Sequence, residues 1–237
     1  MTRLSVNINK LATLRNARGG DNPNLQQATI DIESFGSQGI TVHPRPDERH
    51  IRYRDVREIR SLVKTEFNIE GYPNKKFIDL VLEVKPDQVT LVPDGPDVLT
   101  SNAGWKVSDN KEYLKDIVAV FKESNIRTSL FMDANLDEID ALKDVGCDRI
   151  ELYTEDYAQK YDFDKDQAIK PYIAAAKLGS NMGLGINAGH DLDLKNLRYF
   201  HENIPNLDEV SIGHALICDA LYFGLENTVN LYLRELR

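Results

Sequence analysis

The chain has 237 residues, of which 41% are hydrophobic and 28% are charged, so a large buried core and a well-solvated surface are both possible. Its formal net charge of −9 argues against a general affinity for nucleic acid or for anionic membranes. An anionic substrate would therefore need a local cluster of positive side chains.

The two cysteines, Cys147 and Cys218, stand in apolar surroundings and are predicted to be buried, reduced thiols. They form no Cys-x-x-Cys pair, so the sequence offers neither a zinc site nor a redox motif. The first ten residues lack the apolar run of a signal peptide, and no window approaches the length of a membrane span. We therefore expect a reducing, cytoplasmic setting.

Along the chain, short runs rich in Val, Ile, Leu, Phe and Tyr alternate with longer amphipathic runs. The short runs are typical of buried parallel strands, and the longer ones are typical of helices. Strands are expected at Leu4–Asn9, Gly39–His43, Glu66–Glu70, Gln88–Val92, Arg127–Met132, Arg149–Thr154, Gly183–Ala188 and Glu209–His214. Helices are expected at Leu25–Phe35, Arg54–Lys64, Phe77–Val84, Lys111–Glu123, Leu136–Val145, Lys165–Lys177 and Leu194–Asn203, with a closing helix at Ala215–Leu236.

Eight strand-then-helix units without a second composition regime predict one α/β domain over residues 1–237. A (β/α)₈ TIM barrel is the simplest closed arrangement, and an open doubly wound sheet is the alternative. Gly36 and Gly146 follow helical runs, as left-handed helix caps do. The long connection Pro93–Asp109 contains the only tryptophan, Trp105, and is expected to be a binding loop or lid.

Polar and ionisable residues collect where the predicted strands end. In a barrel these ends share one face, which holds the active site. Four of the five histidines, His43, His50, His190 and His214, fall at or just after such ends, whereas His201 lies in a helix and is predicted to be on the surface. An imidazole at that face can donate or accept a proton near neutral pH.

Two carboxylates interrupt apolar strands. Alternation puts Glu70 on the same side as Asn68, and a Glu70 that faces the lumen would have a raised pKa, which suits a general base. The alternative for Glu70 is an ion pair at the barrel rim. Glu151 also lies inside an apolar strand, where a charge is costly unless it is paired or functional.

Arginines near the ends of the first two strands are candidates for phosphate binding. Arg45 lies between two prolines that stiffen its backbone, and Arg15 and Arg18 follow the first strand. A guanidinium group matches phosphate oxygens in a bidentate way. The alternative, which applies most to Arg49 and its neighbours, is a solvated charged loop.

Glycine-rich ends close the seventh and eighth strands, at Gly189-His190 and Gly213-His214. Each precedes a helix start, where free backbone amides can bind phosphate. The sequence contains no nucleotide-binding fingerprint and no recognisable metal-ligand motif, so we predict no metal site.

Several blocks of the sequence resemble the pyridoxine 5′-phosphate synthase family and occur in family order across nearly the whole chain. They are Val6–Gly19, Gly39–Arg45, Arg49–Ile51, Phe67–Glu70, Leu91–Pro93, Asn187–His190 and Ile212–Ala215. The resemblance implies a (β/α)₈ barrel with extra helical elements, a homo-octamer and no redox cofactor. It also implies condensation of 3-amino-2-oxopropyl phosphate with 1-deoxy-D-xylulose 5-phosphate to pyridoxine 5′-phosphate, phosphate and water.

The resemblance assigns roles to individual residues. His43 and Glu70 would accept protons, and His190 would donate one. Glu151 would stabilise charge in the transition state. The substrate-binding positions are implied to be Asn7, Arg18, Gly213 and His214, with the backbone around His190, for the aminoketone phosphate, and Arg45, His50 and Thr100 for deoxyxylulose phosphate.

Two positions depart from the family pattern. Asn9-Lys10 stands where many members have Asp-His, at a position that contacts deoxyxylulose phosphate. Asp191 follows His190 where glycine is commoner. A backbone amide contact survives that change, but the added carboxylate is expected to point away from a phosphate or to cap the next helix.

Two other functions remain open at this point. A Schiff-base aldolase needs a desolvated lysine at a strand end, and Lys10 is its candidate. A non-catalytic sensor of a phosphorylated metabolite would also keep the arginines and glycines, but it would not need His43, Glu70 and His190.

Overall fold

The computed structural model describes residues 1–95 and 102–237. In these residues eight parallel strands pair in chain order, and the eighth pairs with the first to close a barrel. This closure confirms the predicted (β/α)₈ fold and excludes the open doubly wound sheet. The strands are β1 Arg3–Asn7, β2 Gly39–Val42, β3 Glu66–Gly71, β4 Gln88–Leu91, β5 Arg127–Met132, β6 Arg149–Tyr153, β7 Gly185–Gly189 and β8 Leu207–Ile212.

Helices cover the outside of the barrel, and some consecutive strands are connected by more than one helix. They are α1 Asn9–Arg18, α2 Leu25–Ser34, α3 Tyr53–Arg60, α4 Lys75–Val84, α5 Val107–Glu123, α6 Leu136–Asp140, α7 Glu155–Ala168, α8 Lys170–Asn181, α9 Leu197–Asn203, α10 His214–Phe223 and α11 Leu225–Glu235. A short 3₁₀ helix, Ala141–Asp144, follows α6.

Alternation along each strand separates an apolar outer face from a polar inner face. Leu4 and Val6 of β1 are fully buried in one apolar cluster with helix side chains such as Phe121. The opposite faces meet inside the barrel, where hydrogen bonds join strands that are not neighbours. Asn187 of β7 donates to Gln88 of β4 over 3.4 Å. The interior of a TIM barrel is usually apolar, but here it is a layer of hydrogen-bonded side chains.

The amino-terminal end of the barrel is closed by ion pairs, and we call this cluster the floor: Arg3, Glu66, Arg127 and Glu209. Arg3 Nη1 lies 2.7 Å from Glu66 Oε2, and Arg127 donates to the other oxygen of Glu66. Arg3 also approaches Glu209, at 3.8 Å. The carboxyl-terminal end of the barrel, which we call the mouth, carries a cavity instead.

Some elements differ from the sequence predictions. The closing helix expected at Ala215–Leu236 is two helices, because Gly224 between α10 and α11 has a left-handed φ of 77°. The helix expected at Lys165–Lys177 covers the end of α7 and most of α8. The helices α1 and most of α7 were not predicted. The left-handed conformations predicted for Gly36 and Gly146 are present, with φ of 106° and 83°.

Three predictions about single residues were wrong or need refinement. Cys147 is buried as predicted, but Cys218 is exposed, because it lies on an outer face of α10. His201 is only half-exposed, and its Nδ1 lies 3.1 Å from the hydroxyl of Thr2. In the connection Pro93–Asp109, Trp105 is buried and donates a hydrogen bond to the carbonyl of Leu91. Residues 96–101 of that connection lie outside the described residues.

Among the described residues, no helix combines the length and the apolar character that crossing a bilayer requires.

Candidate active site

A cavity of about 700 Å³ opens at the mouth of the barrel, where the carboxyl ends of the strands meet. A volume of this size accommodates small-molecule ligands. Its lining contains most of the site residues that the sequence suggested: Asn7, Asn9, Lys10, His43, Arg45, His50, Glu70, Glu151, His190, Asp191, Gly213 and His214.

One predicted site residue, Arg18, does not line the cavity, one cannot be compared with the structure, and a second arginine has a structural partner. Arg18 is exposed at the end of α1, and Thr100 lies outside the described residues. Arg15 was a candidate for phosphate, but its guanidinium forms a buried bidentate pair with Asp55, at 2.9 and 2.8 Å. Arg15 therefore joins α1 to α3 rather than binding a ligand.

Glu70 is a nearly buried carboxylate held by neutral donors. The Asn7 amide donates to its Oε2 over 3.3 Å, and the Ser211 hydroxyl donates to its Oε1 over 3.4 Å. Burial raises the pKa of Glu70 to about 8, and the hydrogen bond from Ser211 opposes this rise only in part. The raised pKa predicted from the sequence is confirmed, and it places the carboxyl group in the range where it can exchange protons near neutral pH.

His43 faces Glu70 across a short gap. Its Nδ1 lies 3.9 Å from Glu70 Oε2, which is too long for a hydrogen bond. Burial, followed by the charge of Arg45, lowers the pKa of His43 well below its ordinary value. His43 is therefore a neutral imidazole at pH 7, able to accept a proton.

His50 stands beside His43, with ring centroids 6.2 Å apart. Its Nδ1 accepts a hydrogen bond from the Ile51 amide at 2.9 Å, so the hydrogen of the neutral ring resides on Nε2. Burial and the charge of Arg45 lower the pKa of His50 to about 4. A neutral ring of this kind can donate from Nε2 to an anion without carrying charge itself.

Glu151 lies deeper in the barrel and is only 3% exposed. Burial, followed by the nearby charge of Glu70, raises its pKa well above the ordinary value. Its Oε2 is 3.4 Å from the Thr90 hydroxyl, which also lies 3.1 Å from Asn68 Oδ1. One hydroxyl hydrogen can serve only one of these acceptors, so a protonated Glu151 can donate to the Thr90 oxygen instead.

His190 follows β7 in a left-handed conformation, with φ of 72°. Its Nδ1 lies 2.7 Å from Oδ2 of Asp191. The ring also meets Tyr153 edge-on, with centroids 5.4 Å apart. The carboxylate of Asp191 thus turns towards His190, a partner that the sequence did not suggest.

Positive charge gathers on one side of the mouth. Arg45 is buried and pairs with the buried Asp94 at 2.7 Å, so β2 and β4 are bridged above the end of β3. Arg49 lines the cavity and pairs with Asp47 at 2.8 Å. Lys10, in the first turn of α1, is exposed at the rim. These three cations lie where an anionic substrate would need positive charge in a chain of net charge −9, and two of them also pair with aspartates.

Asn9 connects the ends of β1 and β2 by hydrogen bonds. Its amide oxygen accepts from the backbone of His43 at 2.9 Å, and its own backbone donates to Asn7 Oδ1 at 3.0 Å. Asn9 therefore fixes the positions of Asn7 and His43.

Gly213 caps the amino terminus of α10, and His214 is the first residue of that helix. A Cβ on Gly213 would lie 3.0 Å from Cβ of Asn7, so the close approach of β8 to β1 requires glycine here. The free amides of α10 thereby face the cavity, a favourable position for an anion.

Sequence reasoning missed several members of the site. Ser211, Phe131 and Asp193 line the cavity, and Asp94 holds Arg45. The signal for Ser211 and Phe131 was present, because alternation puts them on the inner face with Glu209 and Ser129. Within residues 1–95 and 102–237, no group of three or more His, Cys, Asp or Glu side chains is placed to hold a metal ion.

A closed barrel whose mouth joins buried carboxyl groups, neutral imidazoles and arginine defines the class of protein: a (β/α)₈ barrel with groups able to exchange protons around a ligand-sized cavity at its carboxyl-terminal end.

Comparisons with known proteins give the family within that class. The model of the family described as "Pyridoxal phosphate biosynthesis protein PdxJ" matches residues 4–237. Pyridoxine 5′-phosphate synthase of Parabacteroides distasonis is 63% identical over 232 residues, which are 98% of both chains. The enzyme of the same name from Flavobacterium johnsoniae is 60% identical over the full length of both chains. The chain therefore belongs to the PdxJ family.

Solved structures support the fold at much lower sequence identity. Phosphoribosylanthranilate isomerase from Thermotoga maritima superposes with a TM-score of 0.62 at 13% identity, over 100% of this chain and 98% of the other. For 3-keto-L-gulonate-6-phosphate decarboxylase from Vibrio cholerae the TM-score is 0.66 at 9% identity, over 99% and 97%. Both likenesses concern the barrel alone.

Proposed function

We propose that the cavity at the mouth condenses 3-amino-2-oxopropyl phosphate with 1-deoxy-D-xylulose 5-phosphate, releasing pyridoxine 5′-phosphate, inorganic phosphate and water. The observation that carries this proposal is the gap between Glu70 and His43. A carboxyl group with a pKa of about 8 lies 3.9 Å from a neutral imidazole, beside arginine and a helix amino terminus.

The chemistry of ring formation requires groups of this kind. Joining an amine to a ketone, removing water, expelling phosphate and closing the ring all need protons to be moved in turn. Glu70 and His43 serve as the proton acceptors. Burial raises the pKa of Glu70 and lowers that of His43, so at neutral pH His43 is ready to take a proton, whereas Glu70 takes one only in the fraction of molecules in which it is ionised.

His190 serves as the proton donor on the other side of the cavity. Glu151, buried below the reacting groups, stabilises positive charge as it forms or donates a hydrogen bond while protonated. These four side chains, His43, Glu70, Glu151 and His190, are the catalytic set that we propose.

The two phosphates anchor the substrates at different parts of the rim. The aminoketone phosphate is held by Asn7, Gly213, His214 and the backbone at Asp191, where the amino terminus of α10 supplies donors. Deoxyxylulose phosphate is held by the remaining positions: Asn9, Lys10, Arg45, His50 and Thr100. Arg18 completes the proposed set, although it is exposed and not in the cavity lining.

A Schiff-base aldolase is disfavoured by the position of Lys10. Such a lysine must be desolvated in order to be neutral and nucleophilic, but Lys10 is exposed at the rim. Borohydride trapping with a ketose phosphate would reveal a covalent adduct if this disfavoured mechanism were at work.

We also propose that the chain acts as one domain, in the cytoplasm and as a homo-octamer. Exposed apolar side chains at the end of α10 support assembly: Leu221, Tyr222 and Phe223 are 72%, 85% and 50% exposed. Light scattering on the purified protein tests the octamer, and a monomeric mass would reject it. The free thiols of Cys147 and Cys218 agree with a reducing compartment.

The function is tested in one assay. Purified protein is mixed with 1-deoxy-D-xylulose 5-phosphate and with 3-amino-2-oxopropyl phosphate, the 3-phosphate of aminoacetone. The formation of pyridoxine 5′-phosphate is followed by its absorbance. We expect product from the wild type and a fall of about 10²–10⁴-fold in His190→Asn. Asp156→Asn is the matched control, because Asp156 is exposed at the same end of the barrel and pairs only with surface Lys160 among the described residues. No product from folded wild-type protein would reject the proposed reaction and put Asn9 and Lys10 under first suspicion.

A further inference from the structure

The contact between His190 and Asp191 determines which nitrogen of the imidazole carries hydrogen. His190 Nδ1 lies 2.7 Å from Oδ2 of Asp191. A carboxylate can only accept a hydrogen bond, so Nδ1 is the donor and is protonated whether the ring is neutral or cationic. Nε2 is then the nitrogen that exchanges its proton with the substrate.

The backbone around Asp191 is held firmly enough to orient the ring. The Asp191 amide donates to the Thr154 hydroxyl at 3.2 Å, and the Asn196 side chain donates to the Asp191 carbonyl at 3.2 Å. Thr154 and Asn196 are both buried. The left-handed backbone of His190 is accommodated by a hydrogen bond from its amide to the carbonyl of Ser211, at 3.3 Å.

Other ionisable groups approach His190 from neighbouring strands. Tyr153 of β6 meets the ring edge-on, and its hydroxyl donates to Glu155. Glu151 of β6 and His43, which directly follows β2, interact with it electrostatically. Asp191 is the ionisable group that contacts Nδ1 directly.

We propose that Asp191 is a positioning residue whose carboxylate fixes the tautomer and the orientation of His190. The inference rests on the proposed function in one respect, namely that His190 is the proton donor. It differs from the role implied by the family resemblance, in which this position supplies a backbone amide to a phosphate.

The substitution Asp191→Asn separates the two roles. It keeps the backbone and the size of the side chain, so an amide contact with phosphate would be retained. A carboxamide, however, can present its NH₂ group to Nδ1 and stabilise the wrong tautomer, as happens in the Asp-His pair of serine proteases. We expect kcat to fall on the order of 10–10²-fold, with KM for both substrates within about twofold of wild type.

Two comparisons show whether the loss acts through His190. Asp156→Asn removes the same charge from the same end of the barrel, and we expect its kcat to stay within about twofold of wild type. In the double variant His190→Asn/Asp191→Asn, the second substitution should lower the residual rate by less than about twofold, because the group that it orients is absent. Wild-type kcat in Asp191→Asn, or independent multiplicative losses in the double variant, would overturn the inference.

A spectroscopic measurement tests the contact without turnover, and so remains decisive if the proposed reaction itself fails. Histidine is labelled with ¹⁵N, and the His190 signal is identified by its absence in His190→Asn. We expect Nδ1 of His190 to remain the protonated nitrogen from pH 6 to pH 9 in wild type, and to lose that preference in Asp191→Asn. A bare Nδ1 in the wild type at pH 9 would refute the proposal.

Discussion

Glu66 and Glu70 lie four residues apart on β3, on the same inner face, yet they have opposite acid–base properties. Glu66 is part of the floor and contacts two arginines, Arg3 and Arg127. Glu70 is at the mouth and accepts hydrogen bonds from two neutral groups, Asn7 and Ser211. Both carboxyl groups are largely removed from water.

The groups that contact Glu66 and Glu70 determine the direction in which each pKa is shifted. Burial acts to raise the pKa of Glu66, but the hydrogen bond and charge of Arg127, with help from Arg3, outweigh it and lower the pKa. At Glu70 burial prevails and the pKa rises to about 8. Burial alone therefore does not determine the direction of the pKa shift; the difference is that Arg127 contacts Glu66 directly, whereas Arg45 acts on Glu70 only from a distance.

Glu209 shows the same rule within the floor. It lies 3.8 Å from Arg3, farther than Glu66 does, and burial together with the charge of Glu66 raises its pKa to about 8. Arg3 lies closer to Glu66 than to Glu209. At neutral pH Glu66 is therefore ionised, whereas Glu209 retains its proton.

The largest expected effect is a loss of activity when the mouth, but not the floor, of the barrel is changed. Glu70→Gln cannot accept a proton, and we expect kcat to fall by about 10²–10⁴-fold while the fold and substrate binding remain largely intact. Steady-state rates and substrate titrations check this, with Glu66→Gln as the control on the same strand. A Glu70→Gln enzyme with near-normal turnover would contradict the role of Glu70.

The pH dependence of kcat/KM in the wild-type enzyme tests the raised pKa of Glu70. Glu70 is active as a base only when ionised, so kcat/KM should rise about tenfold per pH unit up to a pH near 8 and then level off. Circular dichroism over the same pH range controls for unfolding. An acid limb near the ordinary pKa of 4.5 would mean that burial does not perturb Glu70 as the structure indicates.

Removing a carboxylate from the floor should lower the stability of the fold. Glu66→Gln removes the nearest carboxylate of both Arg3 and Arg127, and we expect a loss of about 2 kcal/mol in the free energy of unfolding, discounted because both arginines are about a third exposed. A lowered pKa stabilises the fold above the unfolded value and the benefit is lost as pH falls through the folded value. The difference from wild type should therefore disappear in acid, and kcat at neutral pH should change less than about threefold. Denaturant titrations at two pH values measure this.

The smallest effect has the opposite sign. A raised pKa means that Glu70 contributes fully to stability below pH 4.5 and loses that contribution as pH rises towards 8. Glu70→Gln mimics the protonated form, so at pH 8 it should unfold at a higher temperature than wild type. Equal melting temperatures at pH 8 would show that Glu70 is not destabilised by burial.

Alternation along the strands was sufficient to predict β3 and to put Glu70 on the same side as Asn68. It was not sufficient to predict the partners of Glu66 and Glu70, because Arg127 comes from β5, 61 residues from Glu66 in sequence. Which side chains meet inside the barrel depends on the stagger of distant strands, and that information is absent from local sequence.

The arginines after β1 show a second limit. Arg15 and Arg18 were equally good phosphate candidates because α1 was not predicted; it has few buried apolar side chains to signal a helix. Once the helix is present, Arg15 lies on the buried face and Arg18 on the exposed one. The contact between His190 and Asp191 was hidden for another reason, since it follows a left-handed backbone at a residue that is not glycine.

The most direct test of the account is the protonation state of Glu70 itself. Infrared difference spectra between pH 6 and pH 9, recorded for wild type and for Glu70→Gln, isolate the signal of this one carboxyl group. We expect a carboxylic acid band in the wild type that weakens as pH passes about 8, and the part of it that Glu70→Gln lacks is the signal of Glu70. The part that remains in Glu70→Gln comes from Glu209, whose pKa is also about 8. If Glu70 is already ionised at pH 6, the contrast between the mouth and the floor is wrong.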